Sequence, residues 1–488
     1  MSIPELPRLR SAKGRWILLA TILGSSVASL DATVVNIALP RIGESLNTDV
    51  AGLQWTLNGY TLTLASFILL GGSLGDRLGR RKVFVWGTIG FAIASVLCGA
   101  AVNIEMLIFA RILQGVAGAM LTPGSLALIS SSIDRRDQGA AIGLWSGFGG
   151  VAGALGPFLG GWLIDVAGWQ SIFFINVPLT LVVVLVTLRH VPESHDPNAA
   201  AQLDIPGAVV VALALGTLTF GLIDATPLLV VAGLLLLAVF VSIEMRSDHP
   251  LVPPSLFESR VFTAANLVTF AVYAALGGVF FLLVMQLQLV AGYSPLMSGV
   301  ATVPVTLIML VLSAPAGRWA QVHGPRIPMT VGPLLAGGGL VLMLHIGPDT
   351  TYVTDVLPGV LLFGLGLSVL VAPLTGAVLG AVPTSEAGIA SGVNNAVART
   401  AQLLAVAALP GLAGISGSLS DPVEFDRGFG VAMWICVGLL ATGALLAALL
   451  LRQPRSAPAL DNVDCMPQCD LSGPTLAPAS AEGAVNEK

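Results

Sequence analysis

The chain has 488 residues, of which 55% are hydrophobic and only 10% are charged, and its mean hydropathy is +0.88. This composition excludes a soluble protein, because too few charges are available to cover a soluble surface of that size. Uninterrupted apolar runs recur along almost the whole chain, each near the roughly 20 residues that a helix needs to cross a bilayer. We therefore predict an all-α integral membrane protein of about fourteen helices, since the strands of a barrel would alternate at every second residue.

The first half of the chain predicts a cytoplasmic segment, 1–15, and eight spans. We expect no signal peptide, because the apolar run that begins at Trp16 is too long for one. Six spans would form an amino-terminal bundle over 16–190, and two more would be inserted over 204–243. The eight predicted spans are 16–39, 53–72, 83–101, 105–128, 139–163, 170–188, 204–223 and 227–243.

The second half predicts a carboxy-terminal six-helix bundle over 262–451 and a disordered cytoplasmic tail over 452–488, which is rich in Pro, Ala and Ser. The tail contains Cys465 and Cys469, but a lone C-x3-C spacing is a weak signal, and we predict no metal site. The six predicted spans are 262–288, 297–316, 327–346, 354–377, 388–413 and 428–451.

The distribution of basic residues supports a topology with both termini in the cytoplasm. All but four of the 22 basic residues lie on stretches that this topology places inside, whereas the predicted outer loops carry acids. Two short basic loops, 72–82 and 316–326, also resemble each other, which indicates a duplicated bundle. The four exceptions are Arg41 and Arg427 outside and Arg111 and Arg399 within helices.

Charged residues deep in a membrane are costly and therefore mark functional candidates. Asp31 lies about 22 Å into the first span, and Arg111 lies about 10 Å into the fourth, which runs the opposite way, so both reach a similar depth. A carboxyl group in an apolar, intermittently hydrated site can exchange a proton, so Asp31 is the predicted proton carrier. Arg111 cannot lose its proton and would tune that exchange. A static ion pair between the two is the alternative.

Polar and aromatic side chains share helix faces in three of the predicted spans. Aromatic surface mixed with amides suits a bulky, partly apolar ligand, although ordinary packing between helices would produce the same pattern. The candidate cavity residues are Gln114 in the fourth span, Asn266, Phe270, Tyr273 and Phe281 in the ninth, and Asn395 and Arg399 in the thirteenth.

The fifth span carries glycines along one face and a proline that interrupts its hydrogen bonds. Such a face lets a neighbouring helix approach closely, and the proline permits a bend, so the pattern predicts either passive packing or a hinge. The residues are Gly149, Gly153, Gly156, Gly160 and Gly161, together with Pro157.

No residue pattern in the sequence predicts an enzyme. Residues 71–75 match G-x-S-x-G, but they precede a basic loop and lack the strand–turn–helix setting of a nucleophile. The sequence has neither a G-x-x-x-x-G-K-[ST] nor an H-E-x-x-H motif, so we expect no ATP hydrolysis, no metal and no other cofactor.

Four segments, in the expected order, resemble motifs of the drug:proton antiporters of the major facilitator superfamily, in its fourteen-span branch. Residues 30–40 resemble the first-helix motif of that branch, and residues 72–81 resemble the gating loop of the superfamily. Residues 111–115 are similar to the fourth-helix motif linked to proton coupling, and 156–161 to the fifth-helix antiporter motif. The resemblance covers roughly residues 15–450.

This resemblance implies export of a drug-like, amphipathic or monocationic molecule in exchange for protons, by alternating access. The partners would be that molecule, protons and the lipid bilayer, with no ATP and no nucleic acid. Asp31 and Arg111 would couple proton entry, and the glycines from Gly153 to Gly161 would shape the export conformations. A charged gating loop would lock the two bundles through Gly72, Asp76, Arg77, Gly79, Arg80 and Arg81.

Three departures from the family pattern narrow what the resemblance implies. Ala152 stands where the antiporter motif often has a further glycine, and Gln321 stands where the second gating loop would have an aspartate. The thirteenth span has no acid, which argues against dicationic substrates.

Export of an endogenous metabolite or a self-made antibiotic is the nearest alternative; an uptake symporter and a non-transporting sensor also stay open. The excess of Arg over Lys indicates a bacterial genome, hence the bacterial inner membrane.

Overall fold

The computed structural model describes residues 6–196, 203–247, 250–383, 386–415 and 421–451. Within these ranges every regular element is helical, and 13 helices are long and apolar enough to cross a membrane. The helices of the first half are α1 Ala12–Leu46, α2 Val50–Leu78, α3 Arg80–Gly99, α4 Ile104–Ser132, α5 Arg135–Ala167, α6 Ser171–Phe174, α7 Asn176–His190, α8 Ile205–Ile223 and α9 Pro227–Glu244. Those of the second half are α10 Arg260–Met285, α11 Pro295–His323, α12 Arg326–Met343, α13 Leu357–Gly380, α14 Ala387–Leu412 and α15 Pro422–Leu450.

Each of the fourteen predicted spans coincides with one helix or one helix pair, so the all-helical membrane fold is confirmed. The sixth span is divided at Ile175 into α6 and α7. Helix α14 has 26 residues but falls outside the 13 apolar helices, because Asn394, Asn395, Arg399 and Gln402 lower its hydropathy. The polar residues of this segment therefore lie on a helix of the membrane domain and not in a loop.

The helices extend beyond the predicted spans, because helical hydrogen bonding continues after the chain leaves the apolar layer. Helix α1 was expected to end before Pro40, yet it continues to Leu46 and stops at Asn47, which adopts a left-handed conformation with φ of 47°. Proline is tolerated inside membrane helices where neighbours satisfy the freed carbonyls. A π-helical turn, Gln286–Val290, extends α10, and another, Tyr352–Val356, precedes α13.

Helices of each half pack mainly on one another. In the first half α4 packs on α2 and α3, while α1 packs on α5 and α7. In the second half α13 packs on α11 and α12, and α10 packs on α14 and α15. Small residues permit these approaches: a Cβ added to Gly87 of α3 would lie 2.9 Å from the Ala117 carbonyl oxygen of α4.

A few helix pairs join the two halves. Helix α5 packs on α11, α2 packs on α14, and α1 touches α10. Helix α8 packs on α9 and also contacts α2 and α14. The predicted tail 452–488, with Cys465 and Cys469, lies outside the described residues.

Candidate functional site

Asp31 and Arg111 form an ion pair in the interior of the first half. The Arg111 Nη1 donates to the Asp31 Oδ2 at 2.6 Å, and both side chains are only 1% exposed. The other carboxylate oxygen, Asp31 Oδ1, accepts from the Gln114 Nε2 at 2.9 Å and from the Asn176 Nδ2 at 3.0 Å. Donors from α4 and α7 therefore converge on both oxygens of one carboxylate from α1. We call these four residues the Asp31 cluster.

A second layer of contacts fixes the members of the Asp31 cluster. Gln114 follows Arg111 by three residues on α4, so both side chains lie on one helix face, and the Gln114 Oε1 accepts from the Arg111 Nη1. The Ser95 Oγ accepts from the Gln114 Nε2 at 3.0 Å. The Arg111 guanidinium also lies 4.4 Å from the centre of the Tyr60 ring, and its Nε donates to the Thr56 carbonyl at 3.1 Å. Protonation of the carboxylate would therefore weaken these hydrogen bonds and remove the counter-ion of Arg111.

The sequence placed Asp31 and Arg111 at similar depth, and the structure brings them into direct contact. Gln114 was predicted to line a substrate cavity, and it lies instead in the Asp31 cluster with no exposed surface. Asn176 was not predicted as a site residue. It is an amide in an apolar span, which is the signal that could have identified it.

The gating loop joins α2 to α3 at Gly79, whose φ of +113° favours glycine. Asp76 pairs with Arg80 at 2.7 Å, within the first half. The Arg81 backbone N–H donates to the Glu193 Oε1 at 2.9 Å, and its guanidinium lies 3.7 Å from the Glu193 Oε2. The segment that follows α7 therefore packs against this loop. Its contact residue, Glu193, was not predicted from the motif.

Two further residues of the predicted gating set have different surroundings. Arg77 is exposed and makes no ion pair with any described residue. Gly72 faces Pro123 of α4, and an added Cβ would lie at an ordinary contact distance of 3.7 Å. Among the described residues, neither Asp76 nor Arg77 makes a side-chain ion pair or hydrogen bond to the second half, so the predicted lock between the two bundles stays a prediction.

The glycine face of α5 packs on two helices near the Ala167 end. A Cβ added to Gly160 would lie 2.7 Å from a methyl group of Val34 on α1. One added to Gly161 would lie 2.5 Å from the Leu296 Cα on α11. Gly156 faces Thr33 of α1, and the Pro157 carbonyl faces Gly299 of α11. Only glycine therefore fits at Gly160 and Gly161 without a shift of the neighbouring helix.

Polar contacts join the two halves at the same end. The buried Gln54 Nε2 of α2 donates to the carbonyls of Val406 at 2.7 Å and Ala407 at 3.0 Å on α14. The Gln288 Nε2 donates to the Ile37 carbonyl of α1 at 2.9 Å.

The opposite half of α5 has free space along its glycines. Among the described residues, no heavy atom outside α5 lies within 4 Å of the Cβ position at the residues concerned, which include the predicted Gly153. They are Gly139, Gly143, Gly147, Gly149, Gly150 and Gly153. The two halves of the protein are therefore closely joined at the end away from residue 12, and α5 is open at the other end.

The remaining predicted cavity residues lie on α10 and α14. Asn266 is buried, and its Oδ1 accepts from the Asn394 Nδ2 at 3.1 Å, so Asn394 rather than the exposed Asn395 links these helices. Arg399 is half-buried, and its Nη1 lies 3.4 Å from the Gln402 Oε1. On α10, Tyr273 is half-buried, Phe281 is buried and Phe270 is 40% exposed.

Comparison with known proteins decides the family. The sequence profile described as Major Facilitator Superfamily matches residues 21–406, which is most of the membrane domain. This chain belongs to the major facilitator superfamily. The membership that the four motifs predicted is thereby confirmed, and this superfamily member is a multi-pass membrane transporter.

Relatives within the superfamily carry names of resistance and export. The tetracenomycin C resistance and export protein of Streptomyces glaucescens is 34% identical over 402 residues, which cover 80% of this chain and 74% of that protein. The puromycin resistance protein of Streptomyces alboniger is 34% identical over 460 residues, which cover 90% of this chain and 91% of that protein.

Solved structures of low sequence identity share the fold of this superfamily member. A bacterial homologue of the human lysosomal transporter Spinster, in an inward-facing and occupied conformation, gives a TM-score of 0.67 at 15% identity over 90% of this chain and 97% of that chain. A D-xylose–proton symporter gives 0.65 at 14% identity over 90% and 98%. At these identities the likeness concerns the fold alone.

Proposed function

We propose that this transporter exports amphipathic, drug-like molecules in exchange for protons. Two six-helix bundles, 16–190 and 262–451, would alternate access to a site between them, with α8 and α9 inserted. The observation that carries the proposal is the Asp31 cluster, in which one carboxylate in the middle of a membrane helix is surrounded by donors. Burying a charged group at this depth costs free energy, so its presence indicates a function.

The energy available from a proton matches the cost of opening this cluster. Protonation of Asp31 would leave Arg111 buried without its counter-ion, and breaking a buried pair costs about 3–5 kcal/mol. A proton that enters under about 100 mV gains about 2.3 kcal/mol, and each pH unit adds about 1.4 kcal/mol. The two free energies are of the same size. Proton entry can therefore break the contacts of Arg111, and the proton can still be released afterwards.

The contacts between the halves suggest how the bundles would move. The packing of Gly161 on α11 and the bonds of Gln54 to α14 close the end away from residue 12. With both termini in the cytoplasm of a bacterium, this arrangement would be an inward-facing state. In the outward-facing state we expect the glycines near Gly149 to approach the second half, and Asp76 and Arg77 to lock the gating loop across it.

The direction of transport is supported by the relatives, whose names state resistance and export. Export of an endogenous antibiotic is the second candidate, because the tetracenomycin C protein is named for both resistance and export. The two candidates share one mechanism and differ in the substrate alone.

The proposal is tested by dye accumulation in bacterial cells that express the wild type or Asp31→Asn, with and without an uncoupler. We expect the wild type to lower accumulation and both the substitution and the uncoupler to abolish that effect. Efflux that persists in Asp31→Asn under an intact gradient would show that Asp31 is structural. If no lipophilic dye moves while the protein is folded in the membrane, the endogenous substrate becomes the better proposal.

A further inference from the structure

Arg399 carries a positive charge at the middle of the membrane domain, and no described residue provides a counter-ion. It is the thirteenth of the 26 residues of α14, so about 18 Å of helix lies on either side of it. Its one hydrogen-bond partner among the described residues is the Gln402 Oε1, at the long distance of 3.4 Å. Arg111, by contrast, has Asp31 at 2.6 Å.

The acids of the second half cannot neutralise Arg399. Those in the described part of the half lie in loops or near helix ends, namely Asp349, Asp355, Glu386, Asp421, Glu424 and Asp426. With Asp31 ionised and paired to Arg111, the middle of the described helices keeps one positive charge. An uncompensated charge in a medium of low dielectric constant is unfavourable, so an occupant with a negative charge would be stabilised there.

Tyr273 of α10 lies level with Arg399. Asn394 bonds to Asn266 and Thr269 of α10, and a Cβ added to Gly277 of α10 would lie 2.9 Å from the Gln402 Cα. Arg399 lies between Asn394 and Gln402 on α14, and Tyr273 lies one turn from both Thr269 and Gly277 on α10. Phe270, one turn from Tyr273, is 40% exposed and offers apolar surface. The site therefore presents a guanidinium, a hydroxyl group and an aromatic wall.

We propose that Arg399 and Tyr273 bind an acidic group of the exported molecule, a carboxylate or a phenolate, whose apolar body rests against Phe270. The inference depends on the proposed function and narrows its substrate class to acid-bearing amphipathic molecules. A monocation is disfavoured, because it would meet the charge of Arg399 while Asp31 is already paired. Guanidinium groups bind carboxylates through charge-assisted hydrogen bonds, which are roughly twice as strong as neutral ones.

In this arrangement the proton and the substrate have separate sites. Asp31 pairs with Arg111 inside the first half, whereas Arg399 lies on α14 of the second half. Proton and substrate do not compete for one carboxylate, and their exchange must be imposed by the alternation of the bundles. Outward movement of an anion and inward movement of a proton both carry positive charge inward, so a more negative interior accelerates export.

The test uses two dyes of one xanthene scaffold and opposite charge, the anion fluorescein and the cation rhodamine 123. Energised inverted vesicles containing the full chain are compared for uncoupler-sensitive uptake of each dye. Arg399→Gln removes the charge, Arg399→Lys retains it, and Arg427→Gln removes an exposed arginine elsewhere as a matched control. Size-exclusion profiles in detergent establish that each variant is folded.

We expect the wild type to prefer fluorescein, and Arg399→Gln to lower fluorescein transport by about 10- to 100-fold, the range for a lost hydrogen bond to a charged group. Rhodamine 123 transport should be unchanged or faster in that variant. Arg399→Lys should retain part of the fluorescein transport, and Arg427→Gln all of it. A preference of the wild type for rhodamine 123, or full fluorescein transport by Arg399→Gln, would overturn the inference and leave proton-coupled export intact. Transport of neither dye by the folded wild type would overturn the inference and favour export of an endogenous substrate over export of drug-like molecules.

Discussion

Replacement of Asp31 by asparagine should reveal whether the Asp31 cluster is a proton site or only an ion pair. The carboxylate accepts from Arg111 on one oxygen and from Gln114 and Asn176 on the other. An amide offers an oxygen to one side only, so its NH2 group would face a donor on the other side. The Arg111 charge would also lose its counter-ion at 1% exposure, and we expect a loss of about 3–5 kcal/mol in stability.

The double variant Asp31→Asn, Arg111→Gln separates the two roles. It removes both charges, so most of the lost stability should return, as happens when both members of a buried pair are replaced. Transport should not return, because no group is left to carry the proton. The assay combines thermal unfolding in detergent with uncoupler-sensitive dye efflux in cells. Recovery of efflux together with stability would refute the reasoning and establish a structural ion pair.

Three further predictions concern contacts around the site. Gly161→Ala should slow efflux about tenfold, because the added Cβ would force α5 away from α11, whereas Gly438→Ala, at an exposed glycine of α15, should leave efflux unchanged in the same cells. Glu193→Gln should cost at most about 1 kcal/mol, because its pair with Arg81 is partly exposed, and the difference in Tm should vanish at high salt. Gln54→Leu should cost about 1–3 kcal/mol in thermal unfolding, because two buried carbonyls lose their donor; an unchanged Tm would contradict this.

The membrane fold followed from the sequence because the apolar runs match the thickness of a bilayer. The ends of the helices did not follow from the sequence. The apolar residues stop where the lipid ends, whereas helical hydrogen bonding continues beyond them. Pro40 shows this most clearly: the predicted first span ends at residue 39, and α1 continues for six residues beyond Pro40. The break at Ile175 is likewise hidden in the hydropathy, because residues 172–188 are apolar apart from Asn176 and two threonines.

The part of the candidate site that depends on the depth of single residues could be predicted from the sequence. Asp31 and Arg111 were placed at a common depth by counting residues along two helices, and they form the ion pair. The partners of that pair depend on helix rotation, which residue counting along a span does not give. Residue counting therefore predicts Gln114 and Asn395 as cavity residues, whereas the structure shows Gln114 hydrogen-bonded to Asp31 and the neighbouring Asn394 bonded to α10. The role of Glu193 could not be predicted, because it lies far along the chain from the gating loop.

Proton movement in proteoliposomes is the direct test of proton-coupled exchange. The purified protein is reconstituted with a pH-sensitive dye inside the vesicles, and fluorescein is then supplied outside at equal initial pH. We expect substrate entry to drive protons out of the vesicles, a protonophore to abolish the signal, and Asp31→Asn to show none. Substrate movement without a proton signal, or protons moving in the same direction as the substrate, would contradict proton-coupled exchange.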